Sequence, residues 1–263
     1  MVRLPSPPLD EYDYRFGESP ATVKRLLSLA CLALLAGAQG PLVADSVPDP
    51  RSPSLEPGQR LQALIDRVRF EHARLVTLEA DFVQLKESSL LLEPSEATGV
   101  FSFASPDKVR WEYLEPDPIS LLVAGEEMTT WYRDLGQAER VQVGRQTQRI
   151  LDYLGAGSSL ETLLQYFDAS LAQPKDTRQP FRLELTPRFE RVAKRLQEMT
   201  IWFDPVQYMP VGLRYVEADG DVTEYRFLNL RVNAGLPADR FELEMPSSVD
   251  VREIDLDRQA AMR

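Results

Sequence analysis

Between Gly99 and Tyr113, large apolar residues recur at every second position on either side of a Ser105-Pro106-Asp107 turn. Gly99, Phe101 and Phe103 precede the turn, and Val109, Trp111 and Tyr113 follow it on the same parity. Side chains of an extended chain alternate between faces, so this spacing predicts a β-hairpin with its rings on one surface and Ser102, Lys108, Arg110 and Glu112 on the other. One face of a sheet is therefore unusually aromatic and has to be covered.

The same period of two recurs on both sides of this hairpin. Ala80-Phe82-Gln84, Ile119-Leu121-Val123 and the run from Met128 to Tyr132 read as strands, as do Phe181-Leu183-Leu185, Met199-Ile201-Phe203, Leu213-Tyr215, Tyr225-Phe227 and Phe241-Leu243-Met245. Pro and Gly turns close behind one another mark antiparallel meanders, and Asp219-Gly220 suits a tight hairpin because Gly tolerates positive φ. Two stretches depart from the pattern. Leu61, Leu64, Ile65, Val68, Leu75 and Val76 recur at helical spacing and predict an amphipathic first helix. Residues 145 to 167 hold two short apolar helical faces, Ile150, Leu151 and Leu154, then Leu160, Leu163, Leu164 and Phe167, with Gly155 and Gly157 as a hinge and Ser158 with Glu161 spaced as a capping box. The simplest architecture is α+β, a large antiparallel sheet curved around helices.

The amino terminus carries an address. Lys24-Arg25, the apolar run Leu26 to Ala36 and the small residues Ala36-Gly37-Ala38 read as a cleavable secretory signal, too short to cross a bilayer. The Pro-rich, acidic residues before Lys24 are foreign to such a signal, and translation is expected to start at Val23. Lipidation at Cys31 is the disfavoured alternative, since Ser28 stands where an apolar residue is usual and cleavage there would leave a short apolar run. Removal of the signal leaves no cysteine, because Cys31 is the only one in the chain, and an oxidising compartment is then harmless. The expected division is residues 1–38 leader and signal, 39–58 a flexible Pro-rich linker, 59–252 one domain and 253–263 a polar tail.

The inventory for chemistry is thin. A net charge of −11 argues against phosphate-backbone binding. His72 is the only histidine and lies on the docking stripe of the first helix, where a packed imidazole is ordinary; no Gly-x-Ser-x-Gly elbow, phosphate-cradling loop or His-Glu-x-x-His pair occurs. Glu217, Asp219 and Asp221 form the best acidic cluster but lack a complete calcium loop and read as a solvated hairpin tip. Asp81 and Glu112 occupy the polar parity of strands, so a paired-carboxylate hydrolase is the third-ranked reading. No catalytic residue, cofactor or metal site is expected. Sheltering an acyl chain requires covering its methylenes at about 0.8 kcal/mol each, and a one-sided aromatic sheet under two short helices is a surface of the right kind.

Four stretches carry a resemblance: Leu78-Glu79-Ala80-Asp81-Phe82-Val83-Gln84-Leu85-Lys86; Gly99-Val100-Phe101-Ser102-Phe103-Ala104-Ser105-Pro106; Val109-Arg110-Trp111-Glu112-Tyr113 with Pro116; and Phe241-Glu242-Leu243 with Pro246. In this order they resemble the periplasmic outer-membrane lipoprotein carrier family, LolA-like proteins, from about Leu61 to Val251. The resemblance implies an unclosed antiparallel β-barrel with helices over its concave face and a hydrophobic cavity between. It also implies a carrier that takes acylated lipoproteins from an inner-membrane ABC exporter and passes them to an acceptor lipoprotein on the outer membrane; a monomer is expected.

Carried over by position, Trp111 matches the family's cavity tryptophan, Val109 falls where a bulkier aromatic contacts the exporter, and residues 145 to 167 match the helical lid. The lining expected on this basis is Phe82, Phe101, Phe103, Val109, Trp111, Tyr113, Leu121 and Val123. Ser105 stands where the family often has an arginine that latches the lid, and serine is too short for that; Arg110 or apolar packing is expected to replace it. The runner-up reading is a same-fold carrier of another lipid or glycolipid, or a domain that reports lipoprotein stress.

Overall fold

The computed structural model describes residues 47–88, 93–142, 160–172, 176 and 178–254. The signal-like segment with Cys31, and Ile150, Leu151, Leu154, Gly155, Gly157 and Ser158, lie outside the described residues.

Helix α1 runs Pro57–Ala73. Pro57 opens it where a missing N–H costs nothing, and the Glu56 N–H donates to Gln59 Oε1 at 3.0 Å. Its buried side chains are Ala63, Leu64, Ile65, Val68, Phe70 and His72. Leu61 packs half-buried against the core, as the helical spacing predicts. Leu75 is buried beyond the helix end, but Val76 is exposed, because the chain has already turned out of the helix towards the first strand. The helix begins inside the stretch that its prolines mark as linker, and turns joining Asp49 to Ser52 and Ser52 to Leu55 precede it.

Among the described residues twelve strands form one sheet. They are β1 Thr77–Glu87, β2 Ser95–Ala104, β3 Lys108–Glu115, β4 Ile119–Ala124, β5 Glu127–Tyr132, β6 Gln137–Gln142, β7 Phe167–Ala172, β8 Phe181–Pro187, β9 Leu196–Phe203, β10 Pro210–Glu217, β11 Val222–Val232 and β12 Asp250–Ile254. The order across the sheet is β12-β6-β5-β4-β3-β2-β1-β11-β10-β9-β8-β7. Each half is a meander of neighbouring strands, and the antiparallel β1–β11 pair joins the two halves. Because β7 and β12 stay at opposite ends, the curved sheet is unclosed. The architecture is the one the strand periodicity predicts, except that β12 runs parallel to β6 at one end.

Two helices accompany α1 among the described residues: α2, Leu160–Leu164, and α3, Glu190–Ala193. Helix α2 ends before Phe167, so Phe167 does not extend its apolar face. The Tyr166 N–H donates to the Leu163 carbonyl at 2.9 Å, and Phe167 then opens β7 opposite Pro187. The alternation of buried Phe167 with exposed Asp168 and Ser170 decides the matter in favour of a strand.

Phe241-Leu243-Met245 is likewise not a strand. Ala238–Phe241 is a short 3-10 helix after Pro237, and Arg110 Nη1 takes the carbonyls of Arg240 and Glu242 at 2.9 and 3.1 Å. Those acceptors are thus committed to a side chain rather than to a ladder. This segment crosses the polar face of β1 to β3 and delivers the chain to β12.

The core lies on the other face. Leu64, Ile65 and Val68 of α1 join Leu78, Ala80, Phe82, Phe101, Phe103, Val109, Trp111, Leu121, Val123, Leu183, Ile201, Leu213 and Tyr225 in one cluster, with Leu160 of α2 and Phe167 included. At roughly 1.5–3 kcal/mol for each large apolar side chain removed from water, the stability of the sheet resides on this concave side. The β10–β11 hairpin closes at Gly220, whose φ of +92° meets the demand of the turn, with the Glu217 N–H donating to the Asp221 carbonyl at 2.8 Å.

Candidate functional site

The register of the central strands explains why the aromatic residues meet. Phe101 pairs with Trp111 and with Ala80, Phe103 with Val109 and Leu78, and Phe82 with Gly99. Trp111 and Val109 face Leu121 and Val123 on the next strand. Directly opposed residues share a face, so Phe82, Phe101, Phe103, Val109, Trp111, Leu121 and Val123 stand on the concave side, each at most 2% exposed. Tyr113 stands with them, half-buried.

Trp111 is the hub. Its ring centroid lies 4.8 Å from Phe101, 4.9 Å from Phe82, 5.8 Å from Tyr225 and 6.3 Å from Phe227, and Phe82 in turn meets Tyr113 edge-on at 5.0 Å. Tyr225 and Phe227 come from β11, far away in sequence, and enter this cluster through the β1–β11 pairing of Phe82 with Phe227 and Gln84 with Tyr225. Their own alternation marks them as one-faced, but only the long-range pairing places them beside Trp111.

A few polar atoms lie within this apolar surface. Gln84 Nε2 donates to the Tyr225 hydroxyl at 2.8 Å, and the Tyr225 and Tyr113 hydroxyls are 3.4 Å apart. Burial pushes the Tyr113 phenol well above its usual pKa, further than the Tyr225 contact lowers it, so it stays protonated. The indole Nε1 of Trp111 is buried and has no hydrogen-bond partner.

Of the positions expected to form a lid, Leu160 is buried, Leu163 and Leu164 pack against the core, and Phe167 opens β7. Helix α2 sits near both α1 and β7. Ser105 is exposed in the β2–β3 turn, and its backbone N–H donates to the Val76 carbonyl at 2.8 Å. Arg110 is not a substitute latch on the concave side. It projects from the opposite face of β3 and holds the carboxy-terminal segment.

That opposite face carries a charge cluster which alternation alone does not reveal. Glu79, buried, is paired with Arg231 and with Arg240, whose Nε lies 2.7 Å from Glu79 Oε2 and 3.0 Å from Ser102 Oγ. Glu112 accepts from Arg110 at 3.0 Å and from Arg133, and Arg240 Nη1 lies 3.7 Å away. Burial would raise the Glu112 pKa, but the Arg133 hydrogen bond and the charges of Arg110, Arg133 and Arg240 outweigh it and hold the carboxyl below its ordinary range. An acid so held is a poor proton donor. Asp81 accepts from Asn229 Nδ2 at 2.7 Å, and the Glu217 to Asp221 cluster is the tip of the β10–β11 hairpin. Among the described residues, no group of three His, Cys, Asp or Glu side chains is placed to hold a metal.

A polar depression of about 360 Å³ is lined by Arg182, Glu184, Glu198, Trp202 and Arg214 among others, and another, about 450 Å³, by Glu79, Arg110, Pro237, Asp239 and Arg240. The aromatic concave face is packed ring against ring.

The family model described as outer membrane lipoprotein carrier protein LolA matches residues 73–244. The outer-membrane lipoprotein carrier protein of Alkalilimnicola ehrlichii is 28% identical over 192 residues, covering 68% of this chain and 78% of the relative. That of Dechloromonas aromatica is 25% identical over 241 residues, covering 87% and 96%. Among solved structures, an uncharacterized conserved protein from Thermus thermophilus aligns with a TM-score of 0.48 at 13% identity, covering 74% of this chain and all of that one.

Proposed function

This chain belongs to the outer membrane lipoprotein carrier family, a family of non-enzymatic carriers, and on that premise we propose that it shelters the acyl chains of lipoproteins in the periplasm between its concave sheet face and the helices over it. The observation that supports this most is the one-faced ring cluster around Trp111, contributed by β1, β2, β3 and β11. The proposed lining is Phe82, Phe101, Phe103, Val109, Trp111, Tyr113, Leu121 and Val123, extended by Tyr225 and Phe227.

These residues are packed against their neighbours, so loading requires α1 and α2 to move off the sheet. Each methylene covered then returns about 0.8 kcal/mol, while separating the helices from the sheet exposes core side chains at a comparable cost per unit area. The two terms oppose one another, which keeps the net affinity modest and lets cargo be released. A carrier needs that balance, because cargo bound far more tightly than its acceptor can hold it would never be passed on. On this reading the donor is an inner-membrane ABC exporter, and the recipient is an acceptor lipoprotein on the outer membrane. The chain works as a monomer with the domain beginning near residue 59, after export by the amino-terminal signal.

Mixing the delipidated protein with a triacylated N-terminal cysteine peptide tests this directly. The expected result is a soluble one-to-one complex by native mass spectrometry, with no complex for the same peptide lacking acyl groups. Capture of free phospholipid to the exclusion of the acylated peptide would favour carriage of another lipid, and capture of neither would overturn the proposal.

A further inference from the structure

The carrier reading explains the rings around Trp111 but not the polar atom among them. Trp111 is 1% exposed, and its Nε1–H is a donor without any partner. Leaving a buried donor unpaired costs about 1–3 kcal/mol, and phenylalanine would fill much of the same apolar space at no such cost. The donor lies in the one part of the concave face that also holds Gln84, Tyr225 and Tyr113, whose side-chain oxygens and nitrogen form a short hydrogen-bonded chain. Hydrocarbon has no use for these groups. An acyl chain joined through an ester or an amide does, because its carbonyl oxygen is an acceptor that has to leave water along with the first methylenes.

We infer that the Trp111 indole N–H is a specificity-determining donor to the ester or amide carbonyl at the head of a bound acyl chain. The ligand class is therefore an acyl ester or amide and not a plain alkyl lipid. Trp111 supplies the donor, Phe82, Phe101 and Phe227 fix the plane of its ring through their contacts, and the Tyr113 and Tyr225 hydroxyls sit in the same cluster for a second carbonyl. In the unloaded protein the indole is held unsatisfied. Loading satisfies it, so the carbonyl gains a partner where an ether oxygen, a far weaker acceptor, gains little. This rests on the proposed concave-face site, which it refines by naming the linkage that is read.

The test compares dipalmitoylglycerol with its di-O-hexadecyl ether, probes of equal apolar length, as competitors for a fluorescent fatty acid bound to the full delipidated protein. Wild type should prefer the ester by about tenfold, the equivalent of about 1.4 kcal/mol, and Trp111→Phe should lose that preference. A second measurement needs no variant. The infrared carbonyl stretch of 13C-carbonyl dipalmitoylglycerol should move to lower frequency on binding to wild type, as for a hydrogen-bonded ester. Equal binding of ester and ether by wild type, a preference that persists in Trp111→Phe, or a carbonyl band at its position in dry hydrocarbon would each overturn the inference while leaving the carrier reading standing. Failure of both probes to bind would overturn the two together.

Discussion

The phenyl ring of Phe82 lies against the Cα of Gly99, its partner across the β1–β2 ladder. A Cβ built on Gly99 would stand 2.5 Å from Phe82 Cζ and 2.1 Å from the Glu112 carbonyl oxygen. Backbone on one side and a wedged ring on the other leave nothing that can yield cheaply. Gly99→Ala is therefore expected to destabilise the fold by about 3 kcal/mol, the upper end for overpacking, as measured by urea unfolding. Its m-value should be unchanged, since the same surface is exposed on unfolding.

Trp111→Glu replaces the hub of the ring cluster with a carboxylate that has no cation on its face of the sheet among the ring contacts described. Forcing such a charge into the site costs several kcal/mol, in addition to the roughly 3–5 kcal/mol lost with a buried tryptophan. The expected outcome is failure to fold at 37 °C, read as loss of near-ultraviolet circular dichroism. A variant that stays folded and still captures acylated peptide would show that Trp111 lines nothing.

Much of this was legible in the chain. Period-two spacing marks the concave parity of β1 to β4 correctly, because side-chain direction in a strand depends only on counting. The tight turn at Gly220 is equally local. What spacing does not reveal is which distant strands become neighbours. Tyr225 and Phe227 show the right alternation, yet nothing near them in sequence says that β11 lies against β1. The helical spacing carries Phe167 into the lid because it stands three residues after Leu164, but the helix ends at Leu164 and the exposed Asp168 and Ser170 mark Phe167 as the start of a strand. The Phe241-Leu243-Met245 alternation fails for a different reason, since its carbonyls are taken by Arg110, an interaction across about 130 residues that no local pattern encodes.

Asn233 joins the end of α1 to the end of β11. Its Oδ1 accepts from the backbone N–H groups of Val76 and Thr77 at 2.7 and 3.1 Å, and its Nδ2 donates to the Arg74 carbonyl at 3.0 Å. Its φ of +54° is one that Asn tolerates and Ala resists. Asn233→Ala should cost about 2–3 kcal/mol, combining lost hydrogen bonds with backbone strain. Asn233→Gly, which removes the bonds but relieves the strain, should cost about 1 kcal/mol less. Thermal denaturation of the two variants side by side separates the contributions.

Arg110 fastens the carboxy-terminal segment to the sheet through two backbone carbonyls. With Arg110→Ala the 3-10 helix at Ala238–Phe241 loses two of its contacts with β3, and β12, which among the described residues pairs only with β6, is held mainly by its own ladder. Hydrogen exchange should accelerate over residues 238–254 while β2 and β3 keep their protection, and trypsin should cut sooner at Arg252. Unchanged exchange in this segment would assign its attachment to β12 and to the Arg240 contacts with Glu79 and Ser102.

Glu112 gives the fold a defined response to acid. Its carboxyl is half shielded from water and surrounded by Arg110, Arg133 and Arg240, which depress its pKa in the folded state against the pull of burial. A depressed folded value means that the ionised form is the one folding favours. The stabilisation is therefore complete above the unfolded carboxylate value, about 4.3, and disappears as pH falls through the lower, folded value. Glu112→Gln removes the charge at every pH and leaves the arginines to repel one another. At pH 7 it should cost about 2 kcal/mol, less than the roughly 3–5 kcal/mol of breaking a fully buried pair, because water reaches part of the cluster. As the pH is lowered from the unfolded carboxylate value towards the depressed folded one, wild-type Glu112 takes up a proton and becomes the near-isostere of glutamine, so the two melting temperatures should converge. A gap of constant size from pH 7 to pH 3 would mean that the glutamine acts through packing, and that the arginines around Glu112 contribute no net electrostatic stabilisation.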